Sequence, residues 1–176
     1  GLRRVAVIVL RVVGIVCVLL AARGLAYSRQ QVPPRHLVYL VDQSASIDPK
    51  QTEWMARRLA SLEAIRPAQI SRTVVVFGRD TALALPPRHE RLLDPSMIQR
   101  TLEEAPIQRD GTNVETALLS SLTTLPSSAR SRIILLSDGR QTDGDAERIL
   151  PHVRRFGLEV YPVAVPSTIP SGVVWE

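Results

Sequence analysis

Hydroxyl and carboxylate side chains occur at three separated places in the chain, each at the end of an apolar run or beside a glycine. They belong to Asp42, Ser44, Ser46, Thr112 and Asp138, in the runs VYLVDQSAS, DGTNVE and IILLSDGRQTDG. Each cluster alone is also typical of a turn or a helix cap. Together, two carboxylates and three hydroxyls provide oxygen ligands for one small hard cation near octahedral geometry, which favours Mg²⁺ or Mn²⁺ over calcium or zinc.

Secondary structure must bring these side chains together. An apolar run over residues 37–41 predicts a buried strand that ends at Asp42, and a run over 132–137 predicts another that ends at Asp138. Thr112 precedes a segment with helical periodicity. Because ligands bind beyond the carboxyl ends of the strands in an open α/β sheet, the pattern predicts a single crevice at that edge.

The chain from residue 37 to 166 alternates short apolar runs with helical patterns. This alternation predicts an α/β fold with a doubly wound, Rossmann-like, mostly parallel sheet. Residues 73–77 and 81–85, joined by the turn Gly78-Arg79-Asp80, predict an antiparallel hairpin, so one edge strand of the sheet is expected to be antiparallel.

Two of the predicted helices carry specific expectations. The first begins at the N-cap Asp48 and stops at Pro67. Its buried face is expected to contain Met55, Leu59, Leu62 and Ile65. The last helix, over residues 145–156, contains Pro151, which should kink it or delay its start.

The N-terminal segment has a different character. Residues 5–22 are apolar apart from Gly14 and Arg11, and a helix of that length is about long enough to cross a bilayer. The favourable insertion of its Val, Ile and Leu side chains exceeds the cost of one arginine, and Arg11 can extend toward the interface beside Arg4. We predict a transmembrane helix here in preference to a cleaved signal peptide or a buried core helix.

The predicted organisation therefore has four parts. A transmembrane anchor occupies residues 1–26, a proline-containing linker 27–36, an α/β domain 37–166, and the start of a linker or of a further module 167–176. Since the sequence opens on glycine in place of methionine and its last residues have linker chemistry, we expect the full protein to continue beyond both ends.

Composition argues against several classes of partner and site. The formal net charge is +5, but residues 1–27 contribute +4 of it. With only 4% aromatic residues, no basic stripe with stacking side chains is present, so nucleic-acid binding is not expected. Cys17 is the only cysteine, and the three histidines are widely spaced, so neither a disulfide nor a zinc site is expected.

The polar motifs resemble those of a known family. D-x-S-x-S at 42–46, Gly-Thr-Asn at 111–113 and L-L-S-D-G at 135–139 are similar to the metal-ion-dependent adhesion site of the von Willebrand factor type A domain, over about residues 36–166. One departure is Ala45, where many members have glycine. The layout of a membrane helix, a linker and such a domain also resembles bacterial membrane proteins of the aerotolerance-operon type, and we expect the domain on the extracytoplasmic side of the cell membrane.

The resemblance implies a role for each candidate ligand. Ser44, Ser46 and Thr112 would bind the cation directly or nearly so, whereas Asp42 and Asp138 would act largely through bound water. A carboxylate of a partner protein would fill the open coordination position. The resemblance thus implies a membrane-anchored protein-binding module.

Two alternatives use the same residues differently. One is a metal-dependent hydrolase or phosphotransferase that uses Asp42 and Asp138, and the other is a structural scaffold with an incidental metal. The chain has no Gly-x-Ser-x-Gly elbow, no glycine-rich phosphate loop and no candidate general base near the clusters, so we predict a non-enzymatic protein. The sequence makes no prediction of the partner's identity or of the oligomeric state.

Overall fold

The computed structural model describes residues 36–125 and 131–167. The predicted anchor over 1–26, the linker up to residue 35 and the predicted linker or module beyond residue 167 lie outside these described residues. None of the helices within the two described ranges has the length and hydrophobicity that a bilayer crossing requires.

The described residues form five strands and four helices. In chain order they are β1 (His36–Asp42), α1 (Pro49–Ile65), β2 (Ser71–Phe77), β3 (Thr81–Arg88), α2 (Pro95–Glu103), α3 (Val114–Thr124), β4 (Ser131–Ser137), α4 (Ala146–Arg155) and β5 (Glu159–Ala164). The strands form one sheet in the order β3-β2-β1-β4-β5. Only β3 is antiparallel to its neighbour, which confirms the predicted mostly parallel α/β sheet with an antiparallel edge strand.

The central strand β1 is the point at which strand order reverses. It pairs with β2 on one side and β4 on the other, with His36 opposite both Ser71 and Ser131. The four parallel strands therefore begin at one edge of the sheet, called the amino edge below, and end at the opposite edge, called the carboxyl edge. Asp42 is the last residue of β1, so it lies at the carboxyl edge, where α/β folds bind ligands.

Helices cover both faces of the sheet. On one face, α1 and α2 pack on Tyr39 and Val41, and on the other, α3 and α4 pack on Val38 and Leu40. All four of these β1 side chains are fully buried. This explains why β1 is a continuous apolar run rather than an alternating one, as expected for a strand covered on both sides.

The first helix begins as predicted, and its expected face is buried at Met55 and Leu59 and partly buried at Leu62, so the prediction fails only at the end of the helix. The Asp48 side chain accepts a hydrogen bond from the Gln51 N–H, and the Gln51 side-chain oxygen accepts one from the Asp48 N–H, which forms a capping box. Ile65 was expected in the core, but it is 79% exposed. The buried face continues instead from Leu59 to Glu63, and at 100° per residue Ile65 projects about 200° away from Glu63.

Proline interrupts neither the edge strand nor the last helix. β3 runs through Pro86 and Pro87, beyond the predicted end at residue 85, with irregular pairing to β2. An edge strand tolerates proline because its outer side needs no N–H donor. The helix α4 begins directly after its N-cap Asp145 and includes Pro151, so its start is not delayed. Pro151 is exposed, which lets water reach the carbonyl group that its ring leaves without a donor.

Candidate metal centre

Asp42 is completely buried at the end of β1, and both of its carboxylate oxygens accept hydrogen bonds. Oδ1 accepts from the Ser44 N–H at 2.9 Å. Oδ2 accepts from the Ser137 hydroxyl at 2.7 Å. The Gly139 N–H donates to the same Ser137 oxygen at 3.1 Å. These bonds hold the Asp42 carboxylate in one orientation and connect the carboxyl ends of β1 and β4.

The electrostatic environment of Asp42 favours an added positive charge. Burial raises the pKa of the Asp42 carboxyl above its ordinary value, and the nearby negative charge of Asp138 raises it further. The hydrogen bonds from Ser44 and Ser137 act in the opposite direction. A cation in the crevice would offset both the burial and the repulsion between the two carboxylates.

The hydroxyl groups of Ser44 and Ser46 lie 3.0 Å apart. Ser44 is buried and Ser46 is exposed, so the pair leads from the interior to the surface. Adjacent ligands of an octahedral Mg²⁺ ion, each about 2.1 Å from the metal, are separated by about 3 Å. The spacing of the two hydroxyls therefore fits two neighbouring coordination positions.

Asp138 follows β4 directly, as predicted. Its Oδ1 accepts the Arg140 N–H at 3.0 Å, and its Oδ2 lies 3.7 Å from Arg140 Nε. The Asp138 side chain is only 6% exposed, whereas that of Arg140 is largely exposed. Asp138 is thus a partly enclosed carboxylate whose charge acts on Asp42.

Thr112 is buried in the loop before α3 and is held by the loop after β4. Its N–H donates to Thr142 Oγ1 at 2.8 Å, and its carbonyl accepts the N–H groups of Thr142 and Asp143, each at 3.1 Å. The preceding Gly111 permits this approach, because a Cβ at that position would lie 2.4 Å from Asp143 Oδ2. A larger residue at position 111 would therefore have to displace the Asp143 side chain.

A second set of contacts, which no sequence pattern indicated, holds the loop of residues 42–46. The Arg109 guanidinium donates to the carbonyl and the Oε1 of Gln43 at 3.1 and 3.2 Å. The same guanidinium donates to the carbonyls of Leu102 and Glu103 at the end of α2. The Arg109 carbonyl accepts the Ala45 N–H at 2.6 Å. Arg109 thus joins α2 to the segment that carries Asp42, Ser44 and Ser46.

Two exposed loops are also joined beside Thr112. Arg79 Nη1 lies 2.8 Å from Asp110 Oδ2, and Arg79 Nε lies 3.6 Å from Asp143 Oδ2. Neither this link nor the contacts of Arg109 with Gln43 and Ala45 have a local signature, because each spans at least 30 residues of sequence. For Ser137 the sequence did contain an indication, because Ser137 directly precedes Asp138 in the run LLSDG.

The donor chemistry of the crevice fits a hard cation. The structure connects Asp42, Ser44 and Ser46, brings Asp138 close to Asp42, and places Thr112 in a neighbouring loop. Within the described ranges, no group of three or more His, Cys, Asp or Glu side chains could hold a metal. A cation bound here would therefore need the hydroxyl oxygens as ligands, which suits Mg²⁺ or Mn²⁺ better than a softer metal.

Solved structures share this fold at low sequence identity. BatB from Bacteroides thetaiotaomicron is 18% identical, with a TM-score of 0.61 over 78% of this chain and 72% of that one. An aerotolerance-related membrane protein from Bacteroides fragilis is 17% identical, with a TM-score of 0.61 over 80% and 75%. Proximal thread matrix protein 1 from the mussel byssus, described with a zinc-occupied MIDAS motif, is 17% identical, with a TM-score of 0.53 over 73% and 37%.

Sequence comparison identifies the family directly. No curated protein matches the chain in sequence. The sequence profile of the von Willebrand factor type A domain matches residues 36–174, which is most of the chain and includes all five candidate ligands. The chain therefore belongs to the von Willebrand factor type A domain family.

Proposed function

We propose that this chain is a membrane-anchored protein-binding module, in which a divalent cation held by the five candidate ligands engages an acidic side chain of a partner protein. Domains of this family generally serve as interaction modules without enzymatic activity. The single observation that carries the proposal is the Ser44–Ser46 hydroxyl pair at 3.0 Å, which leads from the buried Asp42 to the surface.

The proposed ligands divide into two kinds. Both Asp42 oxygens already accept protein hydrogen bonds, which suits a supporting role through bound water. The hydroxyls of Ser44, Ser46 and Thr112 are neutral ligands and would bind the cation directly. Because three of the five ligands carry no charge, the cation keeps part of its positive charge and attracts an anionic group from outside. We propose Mg²⁺ or Mn²⁺ as the ion.

The negative charge of the surface around the crevice should make the binding of an acidic partner depend more strongly on the metal. Segments 42–50, 78–80, 103–115 and 138–147 hold eleven acidic and four basic residues, a net charge of −7. This charge draws cations toward the carboxyl edge and repels an acidic partner that approaches without one. An acidic side chain would therefore bind here only through the cation.

Calorimetric titration of the full chain with MgCl₂ and MnCl₂ tests the site. The wild type should bind one ion, and the double variant Ser44→Ala/Ser46→Ala should lose measurable binding because two direct ligands are absent. The matched control Ser61→Ala/Ser96→Ala removes two exposed hydroxyls on α1 and α2 and should bind like the wild type. An intact chain that binds neither ion would contradict the proposal.

The partner-binding step has its own test. Crosslinking and pull-down from membranes, with and without EDTA, should recover a protein with the wild type that is lost with EDTA and with Thr112→Ala. If metal binds in the calorimeter but the recovered proteins are the same under all three conditions, the fold is a scaffold and the metal is incidental to recognition.

A further inference from the structure

We propose that the amino edge of the domain rests on the anionic lipid surface of the membrane that carries the chain, so that the metal centre at the carboxyl edge faces away from the bilayer. The inference uses the membrane anchor of the proposed function but not its metal site. It assigns a lipid-contacting surface to residues of the folded domain itself.

The topology brings several chain segments to the amino edge. β1 enters there at His36, and the other parallel strands begin beside it. The helices α1 and α4 each run from the carboxyl edge back to this edge, where they end at Ile65 and Arg155. The antiparallel β3 also ends here, with Arg88 opposite Arg72 of β2.

Each of the two helix ends presents a large apolar side chain to solvent. Ile65 is 79% exposed and Phe156, the C-cap residue of α4, is 65% exposed. They lie on opposite faces of the sheet, because α1 and α4 belong to different core layers. Apolar side chains that flank an edge on both sides can insert together into the boundary between headgroups and acyl chains.

The amino edge is basic. Segments 63–72, 88–94, 131–132 and 154–159 hold seven arginines and four acidic residues, a net charge of +3. Arg154 and Arg155, which are exposed next to Phe156, form no ion pair with any residue that the structure describes. Exposed arginines beside an aromatic residue favour contact with anionic headgroups.

Three of the four acidic residues at this edge have an arginine neighbour, and the fourth, Asp94, is the N-cap of α2. Glu159 pairs with Arg132 at 3.0 Å and accepts the Tyr161 hydroxyl at 2.8 Å. Glu63 is buried between Arg66 and Arg72. Glu90 is exposed and lies 3.9 Å from Arg88. Without the buried Glu63, Arg66 and Arg72, these segments keep five arginines and three acidic residues, so a net charge of +2 remains available at the surface.

The opposite charges of the two edges orient the domain. The carboxyl edge carries −7 and the amino edge +3. In the negative surface potential of a bilayer that contains anionic lipids, this separation of charge favours the amino edge toward the lipid and the metal centre toward solution. The metal centre would then stay accessible to a partner protein.

Chain connectivity favours lipid over an acidic protein as the occupant of this edge. The predicted anchor ends at residue 26, and the nine residues 27–35 span at most about 30 Å even when fully extended. The edge at which β1 begins is therefore held near the bilayer at a high effective concentration. A protein partner would have to compete with that surface.

Fluorescence quenching in vesicles tests the orientation. The full chain, with Cys17→Ala as background, is reconstituted in phosphatidylcholine vesicles with phosphatidylglycerol and nitroxide-labelled lipid. A fluorophore attached at Phe156→Cys or Ile65→Cys should be quenched. The matched control Glu147→Cys lies at the other end of α4, is also exposed, and should not be quenched.

The charge dependence is tested in the same vesicles. Removing phosphatidylglycerol, or substituting both Arg154→Gln and Arg155→Gln, should shift the equilibrium between membrane-bound and free domain toward the free form by roughly tenfold or more.

Equal quenching at Glu147→Cys and Phe156→Cys, or none at Phe156→Cys in a chain that floats with the vesicles, overturns the proposal. The proposal is also overturned if the fluorescence of the label at Phe156→Cys changes with soluble poly-glutamate and not with lipid, because the edge would then bind an acidic protein. A chain that does not float contradicts the anchor itself.

Discussion

Ser137 and Asp42 lie on adjacent parallel strands, and the Ser137 hydroxyl donates a hydrogen bond of 2.7 Å to Asp42 Oδ2. The contact joins residues that are 95 positions apart in sequence. It fixes the buried carboxylate relative to the end of β4, which Asp138 directly follows. Ser137 is therefore a positioning residue for the candidate metal centre, although we do not propose it as a ligand.

Substitution of Ser137 should weaken metal binding without removing a ligand. In Ser137→Ala, Asp42 Oδ2 loses its buried donor, so we expect Mg²⁺ affinity to fall by roughly tenfold and the free energy of unfolding by about 1–3 kcal/mol. Calorimetry and urea unfolding measure the two effects. Ser121→Ala, which removes a buried hydroxyl inside α3, should leave Mg²⁺ affinity unchanged. Equal affinities in Ser137→Ala and wild type would show that this bond does not position Asp42.

Arg109 should matter for metal binding because it connects α2 to the loop of residues 42–46. In Arg109→Ala, the carbonyls of Gln43, Leu102 and Glu103 lose their guanidinium donor. We expect Mg²⁺ affinity to fall by roughly tenfold, with faster amide exchange in residues 43–46. Arg100→Ala, on the exposed side of α2, is the control and should bind normally. Unchanged exchange in Arg109→Ala would mean that the loop holds its own shape.

The buried charge cluster around Glu63 should dominate the stability of the domain. Glu63 Oε1 accepts from the Tyr39 hydroxyl at 3.0 Å and from Arg66 Nε at 2.8 Å, and its Oε2 lies 3.5 Å from Arg72 Nε. In Glu63→Gln, two buried arginines lose their only buried counter-charge within the described residues, so the free energy of unfolding should fall by about 3–5 kcal/mol. Urea unfolding measures the change.

A surface ion pair provides the contrast for that experiment. Glu53→Gln removes the exposed partner of Arg57 on the same helix and should change stability little, because exposed ion pairs are solvated and screened. Similar losses of stability in Glu63→Gln and Glu53→Gln would contradict the importance of burial. Tyr39→Phe, which keeps the ion pairs and removes one hydrogen bond, should fall between the two.

Stability should decrease in mild acid because of His36. Burial, and secondarily the positive charge of His89, lowers the pKa of His36 from 6.5 to about 4. The folded state therefore disfavours protonation, so the contribution is fully present above pH 6.5 and is lost as pH falls toward 4. Over that interval the free energy of unfolding should fall by up to about 1.4 kcal/mol per pH unit from this group.

Comparison with His36→Asn isolates the histidine from other titrating groups. The His36 ring nitrogens lie 2.5 Å from Ser71 Oγ and 2.9 Å from Thr73 Oγ1, and an asparagine side chain can replace part of these contacts. Urea unfolding between pH 4 and 7 should show a shallower decline in the variant. Parallel profiles for the two proteins would assign the acid sensitivity to other residues.

Much of the fold could be predicted from local patterns. The apolar run that ends at Asp42 predicted a central strand, because a strand covered on both faces needs no polar side. The capping box at Asp48 predicted the start of α1. The prediction that Ile65 is buried was wrong. Glu63 and Arg66 are buried there instead, and no local pattern indicates that a charged pair takes the place of an apolar residue near a helix end.

The sequence by itself determined the residue types of the candidate site, because hydroxyls and carboxylates at strand ends and beside Gly111 are local features. Only the tertiary structure decided which contacts hold them in place. Ser137 bonds to Asp42, Arg109 bonds to the loop of residues 42–46, and residues 142–143 bond to Thr112. These contacts join segments 30 to 95 residues apart. The separation of a basic edge from an acidic one likewise arises from strand and helix direction, which places distant charges side by side only after folding.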